Sequence, residues 1–306
     1  MISVLMPVRN VPPRFLDRAV ASILAQTEGD FEFLIVDDGS ADGAHERLQS
    51  WHRRDERIRI LANPIRGVTH ALNHGLAHCR GKLVARMDGD DVAEPTRFAE
   101  QAAYLNRHPG CVAVGSDLLL IDPDDRPLTR VRQAREHDEI VQMMLGGLNG
   151  VIGHPSVMMR LGSIRRVGGY DPTYPHSQDL DLFLRLANDG ALANLPRPLL
   201  RHRQHLSAVS VTRLDLQERC KEEIVNLARA RRGLPPLCPP RSRMQASTAG
   251  LSYLRWARMA WQGGRWAAAA RYGLAALARF PSEVPAWWSF ARSLQRRRYQ
   301  AKARAA

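Results

Sequence analysis

The sequence predicts an α/β protein, a mostly parallel sheet flanked by helices, with a helical appendage at its C-terminal end. Three observations predict it. Short apolar runs alternate with helical patterns through the first half of the chain, acidic turns directly follow two of those runs, and the charge balance changes abruptly near residue 230.

The apolar runs are Ile2–Val8, Phe31–Asp37, Ile58–Leu61 and Leu83–Met87, and the helical patterns that follow them are Arg14–Gln26, Ala44–Arg53, Thr69–Cys79 and Thr96–Asn106. Strand followed by helix, repeated, implies crossovers that keep the strands parallel and place ligands at their carboxyl edge. Gly67 and Gly81 break the chain around the third helix, Pro95 suits a first helical turn, and Pro109-Gly110 ends the fourth pattern. After Val112–Ser116 the alternation gives way to a charged loop, Asp122-Pro123-Asp124-Asp125, and then to a mixed region that reaches a helical pattern over Asp179–Asn188.

Residues 1–230 hold 29 Lys+Arg against 30 Asp+Glu, whereas residues 231–306 hold 15 against Glu283 alone, so a net charge of −1 in front is followed by +14 behind. Gly233-Leu234-Pro235-Pro236 and Pro239-Pro240 mark a linker, which divides the chain into a domain at 1–230, a proline-rich linker at 231–250 and a basic helical tail at 251–306. Within the tail, Leu251–Trp261, Gly263-Gly264 and Trp266–Arg279 form one tetratricopeptide-like hairpin pattern. One hairpin needs a neighbour to cover its apolar face. The tryptophans Trp256, Trp261, Trp266, Trp287 and Trp288 fall in alanine-rich helical patterns, not in a nucleic-acid module. The basic stretch 235–306 is therefore read as a peripheral membrane-facing surface, with nucleic acid set aside.

No apolar run is long enough to span a bilayer, and the opening MISVLMPVRN lacks the charged region and cleavage site of a secretory signal, so a cytoplasmic protein is expected. Cys79, Cys111, Cys220 and Cys238 have neither disulfide-framework nor zinc-pair spacing.

The densest chemical signal is Met87-Asp88-Gly89-Asp90-Asp91, three carboxylates in four residues at a strand end. Such charges repel, and a divalent cation that also binds phosphate oxygens would hold them together. A solvated acidic turn ahead of Pro95 is the competing reading. The second acidic turn, Asp37-Asp38-Gly39-Ser40, faces the same sheet edge and offers carboxylates to a base N–H or a ribose hydroxyl, or is turn chemistry alone. Pro7-Val8-Arg9-Asn10 follows the first strand and can line a base pocket, and Arg66-Gly67 ahead of a helix suits a diphosphate or is a helix start beside a surface arginine. Asp179 stands at the start of an amphipathic helix, as a general base or as an acid favoured by the helix dipole. His202 and His205 close the series.

Taken together, SVLMPVRN, SILAQT with FEFLIVDDGS, GVTHALNHGL, LVARMDGDDVAEPTRFAEQ, GHPSVMMR, VGGYD, QDLDLFLRL and RHRQHLSAVS resemble the family 2 glycosyltransferases of the GT-A fold from residue 3 to about 210. The resemblance implies an inverting transfer from a nucleotide-diphosphate sugar, a UDP-sugar by expectation, to a hydroxyl of a glycan or lipid-linked acceptor in cell-surface polysaccharide synthesis. It also implies Mg²⁺ or Mn²⁺ as cofactor. By position, Asp37 and Asp38 would meet the nucleoside, joined by Pro7, Val8, Arg9, Arg66 and Gly67. Asp88, Gly89 and Asp90 would match the family's DxD. Either Asp90 or Asp91 would bind the metal directly, the other holding ribose or sugar, and His205 would complete the metal or diphosphate site. Asp179 would match the catalytic base. Gln178 departs from the family's usual Glu at that point, which bears on acceptor contacts. A catalytically silent scaffold that binds membrane or polyanion through its tail is the alternative from another class.

Overall fold

A computed structural model gives the architecture and describes residues 1–41, 43–206, 214–237 and 249–280. Cys238, Pro239-Pro240, Trp287 and Trp288, with most of the linker and the end of the tail, lie outside the described residues.

The first part runs β1 (Ile2–Val8), α1 (Pro13–Leu24), β2 (Phe31–Asp37), α2 (Ala44–His52), β3 (Ile58–Ala62), α3 (Val68–His78) and β4 (Leu83–Arg86). Strand order is β3-β2-β1-β4, parallel throughout. β1 and β2 are buried along nearly their whole length on both faces, which is why they read as continuous apolar runs and not as alternating ones. α3 lies close on this sheet: a Cβ at Gly75 would stand 2.2 Å from Leu5 Cδ1. Because these strands are parallel, the segments after Val8, Asp37 and Arg86 emerge at one carboxyl edge.

The sheet continues through strands of opposite sense. β5 (Val92–Ala93) precedes α4 (Arg97–Arg107), and β6 (Cys111–Ile121) turns back through β7 (Pro127–Val131). The acidic loop expected after Ser116 is the turn of this hairpin. Asp122 Oδ1 accepts the main-chain N–H groups of Asp124 at 2.8 Å and Arg126 at 2.9 Å. The mixed middle region resolves into α5 (His137–Leu145), a 3₁₀ turn (His154–Ser156), β8 (Met158–Arg160) and α6 (Leu161–Arg166), then α7 (Gln178–Leu186) and β9 (Ala191–Arg203). β8 pairs antiparallel with β4 and β6, and β5 with β9, which completes the order β4-β8-β6-β9-β5. The architecture is an α/β sheet flanked by helices, with further helices at the C-terminal side: α8 (Leu214–Ala230), α9 (Ala249–Gln262) and α10 (Trp266–Arg279).

Two compact units divide the described residues. The first holds 1–41, 43–119, 131–203 and 216–237; the second holds 120–130, 204–206, 214–215 and 249–280. In the second, α9 and α10 close through Trp256 against Tyr272, ring centroids 5.4 Å apart and edge to face. Tyr272 Oη donates to Asp122 Oδ2 at 2.6 Å, and Arg271 pairs with the same oxygen. No helix among the described residues is long and apolar enough to cross a membrane.

Candidate active site

β4 ends at Arg86, and the chain stays beside β1 for one more residue because Met87 N donates to Leu5 O at 3.0 Å. It then turns through Asp88-Gly89-Asp90-Asp91. Gly89 is a close approach: a Cβ there would lie 3.2 Å from Val11 Cγ2 and 3.4 Å from Val8 Cγ2, so a side chain would push the acidic turn off the loop after β1. Carboxylate oxygens of Asp88, Asp90 and Asp91 all fall within 4.8 Å of one another. Asp88 and Asp90 are partly accessible, while Asp91 is fully buried.

β9 holds the far side of the turn. Arg203 N donates to Asp91 Oδ1 at 2.8 Å, and Arg203 Nε donates to Asp90 O at 2.7 Å. Asp91 Oδ2 is buried without a hydrogen-bond partner. Burial, and then the Asp90 and Asp88 charges, push the Asp91 carboxyl well above the usual carboxylate range. A buried, unpartnered carboxylate oxygen beside two further carboxylates suits a hard divalent cation, which would repay the missing interactions with oxygen coordination. The residues present therefore fit Mg²⁺ or Mn²⁺.

The neighbouring loops emerge on the same edge. Asp38 is buried, and its Oδ1 accepts Asn63 Nδ2 at 2.6 Å and Gly67 N at 2.8 Å, while its Oδ2 lies 3.9 Å from Arg9 Nη1. One carboxylate thus ties together the segments after β1, β2 and β3. Asp37 Oδ1 accepts Ser40 N at 2.9 Å, and Ala41 N donates to Asn10 Oδ1 at 3.0 Å. Pro7 and Val8 are the last two residues of β1. Gly67, at φ 130°, immediately precedes α3 as its N-cap residue, and Arg66 packs over Gly39, where a Cβ would stand 3.1 Å from its Nε. The structure therefore brings Pro7, Val8, Arg9, Asp37, Asp38, Arg66 and Gly67 to one group of loops.

Asp179 is carried by a different device. Gly168 and Gly169 adopt φ of 86° and 73°, and a Cβ at Gly169 would lie 2.8 Å from Asn73 Oδ1. Asn73 of α3 clamps this segment at both main-chain polar groups of Tyr170: Tyr170 N donates to Asn73 Oδ1 at 2.9 Å, and Asn73 Nδ2 donates to Tyr170 O at 2.7 Å. Farther along, Thr69 Oγ1 donates to Tyr174 O at 3.1 Å. The clamped loop delivers Ser177, at φ 57°, which caps α7 and sets Asp179 in its first turn. Burial raises the Asp179 carboxyl above its ordinary value, against the opposing pull of the Leu180 N–H and Arg86. Gln178 opens the helix beside it. His202 lies in β9, and His205 follows that strand by two residues, in the second unit.

Several residues of the site have no counterpart among the sequence expectations. Arg86 is buried, pairs through Nη1 with Asp88 Oδ2, and lies in electrostatic reach of Asp91, Tyr170, His154 and Asp179. A lone cation in the otherwise apolar run Leu83–Met87 is the signal that could have singled it out. Arg97 of α4 is wholly buried and donates through Nη2 to Arg86 O at 2.6 Å and Val157 O at 3.3 Å, and Gln101, one turn on, donates to Val114 O and Ser156 O. His154 Nε2 and Tyr170 Oη share a buried hydrogen bond of 2.7 Å.

Comparison with known proteins follows the same outline. The profile of glycosyl transferase family 2 matches residues 3–167. An uncharacterized glycosyltransferase of Haemophilus influenzae is 28% identical over 215 residues, covering 67% of this chain and 66% of its own length, just under two thirds. The O-antigen biosynthesis glycosyltransferase WbnJ of Escherichia coli is 30% identical over 209 residues, covering 67% and 80%. Among solved structures, S. aureus TarS 1-349 in complex with UDP aligns at a TM-score of 0.57 and 14% identity over 84% of this chain and 80% of that one. The mannosyltransferase PcManGT of Pyrobaculum calidifontis, in complex with GDP-Man and Mn2+, aligns at 0.56 and 16% identity over 96% and 80%. At those identities the structural likeness establishes the fold.

Proposed function

Because this chain belongs to glycosyl transferase family 2, we propose that it is an inverting, metal-dependent transferase that moves a sugar from a nucleotide-diphosphate donor to a hydroxyl of a glycan or lipid-linked acceptor. The observation that carries the reading is the buried, unpartnered Asp91 Oδ2 within a three-carboxylate group at the carboxyl edge of the parallel strands. A role in polysaccharide synthesis has the support of two relatives, WbnJ, named for O-antigen biosynthesis, and the Erwinia amylovora protein AmsE, named for amylovoran biosynthesis. Uridine as the donor base has the support of the TarS complexes with UDP and UDP-GlcNAc.

In the proposed mechanism Asp38 and Asp37, with the loops after β1 and β3, receive the nucleoside, and the start of α3 with Arg66 faces the diphosphate. Asp90 and Asp91 would hold Mg²⁺ or Mn²⁺, which when bound would offset the charge gathering on the departing diphosphate, with Asp88 beside them on the donor side. Assignment of His205 as a further ligand rests on the sequence alone. Asp179, ionised, takes the proton from the acceptor hydroxyl as its oxygen attacks the anomeric carbon. The anomeric bond to the diphosphate breaks on the opposite face, so one displacement inverts the configuration. General-base help of this kind supplies about 10²–10⁴-fold. The basic stretch 235–306 is assigned a peripheral contact with the inner face of the cell membrane, which vesicle pelleting with and without that stretch tests.

The deciding experiment is a melting-temperature panel of nucleotide diphosphates and nucleotide sugars with and without Mn²⁺, since a ligand that binds the folded state alone raises its stability. A manganese-dependent rise with one base supports the transferase and names its donor class. No rise with any of them favours the silent scaffold.

A further inference from the structure

Arg86 is an expensive residue to bury. Its side chain is 5% exposed, its Nε has no hydrogen-bond partner, and it makes its ion pair with Asp88, the carboxylate at the mouth of the acidic turn that is itself 32% exposed. Leaving a buried N–H unpaired is destabilising, and an apolar side chain in such a place is commonly neutral or better for stability. Packing therefore does not account for an arginine here. The backbone beneath it is held on both sides, Arg86 N donating to Val157 O at 3.0 Å and Arg97 Nη2 donating to Arg86 O at 2.6 Å, so the guanidinium projects from a fixed base.

Its position divides the three acids. Asp91 is anchored by Arg203 N through one oxygen and presents the other unpartnered, whereas Asp88 is engaged by a cation. A carboxylate whose charge is already matched by a guanidinium is a poorer ligand for a divalent cation than one whose oxygen has no partner.

We propose that Arg86 is a positioning residue: its ion pair withholds Asp88 from the metal and fixes that carboxylate for the nucleotide side of the donor, leaving Asp91 with Asp90 to take the cation. The proposal rests on the transferase reading and assigns a division of labour within its site. Removing Arg86 frees a third carboxylate for the cation and unfixes the group that meets the donor, so binding of bare metal and binding of metal with nucleotide move in opposite directions.

The test uses the full chain and reads binding, not turnover. Mn²⁺ affinity is measured from the free-ion electron paramagnetic resonance signal, and affinity for UDP and for GDP by titration calorimetry in saturating Mn²⁺. Arg86→Met binds Mn²⁺ alone more tightly and the nucleotide more weakly, each within the roughly 2- to 100-fold range typical of directly coupled charge pairs. Arg86→Lys, which keeps the charge and the fold but not the fork, moves both in the same directions and by less. In an Asp88→Asn background the effect of Arg86→Met on nucleotide affinity disappears and its effect on Mn²⁺ affinity shrinks to what Arg86 exerts on Asp91 through space. Unchanged affinities in Arg86→Met and Arg86→Lys overturn the proposal. So does loss of both affinities together with a lower melting temperature in Arg86→Lys, and so do Arg86 effects that persist undiminished in Asp88→Asn. If the unaltered protein binds neither nucleotide in Mn²⁺, the transferase reading itself fails, an outcome distinct from all of these.

Discussion

Arg203 N donates to Asp91 Oδ1 at 2.8 Å, so one oxygen of a fully buried carboxylate is pinned by β9 while the other is left without a partner. The first prediction follows from that asymmetry. In Asp91→Asn the amide oxygen keeps the bond to Arg203, and the amide hydrogens can donate to Asp88 and Asp90, both within 4.8 Å. Mutual repulsion falls, so the metal-free variant should melt higher than the natural protein by roughly 2–4 °C per kcal/mol relieved. The Mn²⁺-dependent rise in melting temperature should disappear. A variant that keeps that rise would remove Asp91 from the metal site.

Asp179 gives the second prediction, a separation of binding from turnover. Asp179→Asn should lower kcat by about 10²–10⁴-fold, the range of general-base help, while leaving the Mn²⁺-dependent nucleotide shift within error of the natural protein. Loss of both would mean that Asp179 holds the donor or the fold and is not a base.

The pH dependence of turnover follows from the environment of the same residue. Burial raises the Asp179 carboxyl above its ordinary 3.8, and the nearby Asp88 charge adds to that, while the Leu180 N–H and Arg86 oppose it. A base works deprotonated, so kcat should fall as pH drops through this raised value and be flat above it. The acid limb then lies at higher pH than an exposed aspartate would give. Raising ionic strength should move it only modestly, because Arg86 is buried and Asp179 is half-buried. A limb at the position of a free aspartate would contradict the assignment.

The parallel half of the fold was legible because its strands are buried on both faces, and their apolar runs end at turns whose composition is itself a signal. β1 and β2 match their expected bounds. The second half was not, for a physical reason. β9 runs thirteen residues through Ala191–Arg203 with two prolines and three arginines, so its burial alternates irregularly and no period stands out. β6 outran its expectation because Asp122 makes a hairpin turn from what reads as a charged loop. Loops bearing Asp38, Asp91 and Asp179 could be placed from sequence, but what fixes them could not. Arg203, Asn73 and Arg97 act across separations of 112, 97 and 11 residues, through contacts that leave no local pattern.

Asn73 and Gly169 yield the fourth prediction. Asn73→Ala removes both bonds to the main chain of Tyr170, whose side chain is buried against His154, and should cost about 1–3 kcal/mol in chemical denaturation for the groups left unpaired. Gly169→Ala should cost at least as much, because φ is 73° there and its Cβ would meet Asn73 Oδ1 at 2.8 Å. Since this loop leads into α7, both variants should lose kcat more than nucleotide affinity. An unchanged kcat in a folded Gly169→Ala protein would show that the loop does not position Asp179.

The last prediction separates the second unit from the chemistry. Asp122 is fully buried and accepts from two main-chain N–H groups of its own turn, from the Tyr272 hydroxyl and from Arg271. Tyr272 and Arg271 both come from α10, so a carboxylate of the β6–β7 hairpin holds that helix. Burial, then the bond to Asp122 and its charge, push the Tyr272 hydroxyl far above its ordinary value, so it stays a donor at every accessible pH. Tyr272→Phe deletes one bond to a charged acceptor and should weaken the unit by about 1.5–3 kcal/mol. Faster amide exchange over α9 and α10 would report it. The carboxylates behind the Mn²⁺-dependent nucleotide shift belong to the first unit, so that shift should not change. If it does change, the two units are energetically coupled, and the basic stretch beyond residue 235 acts on the donor site as well as on its own partner.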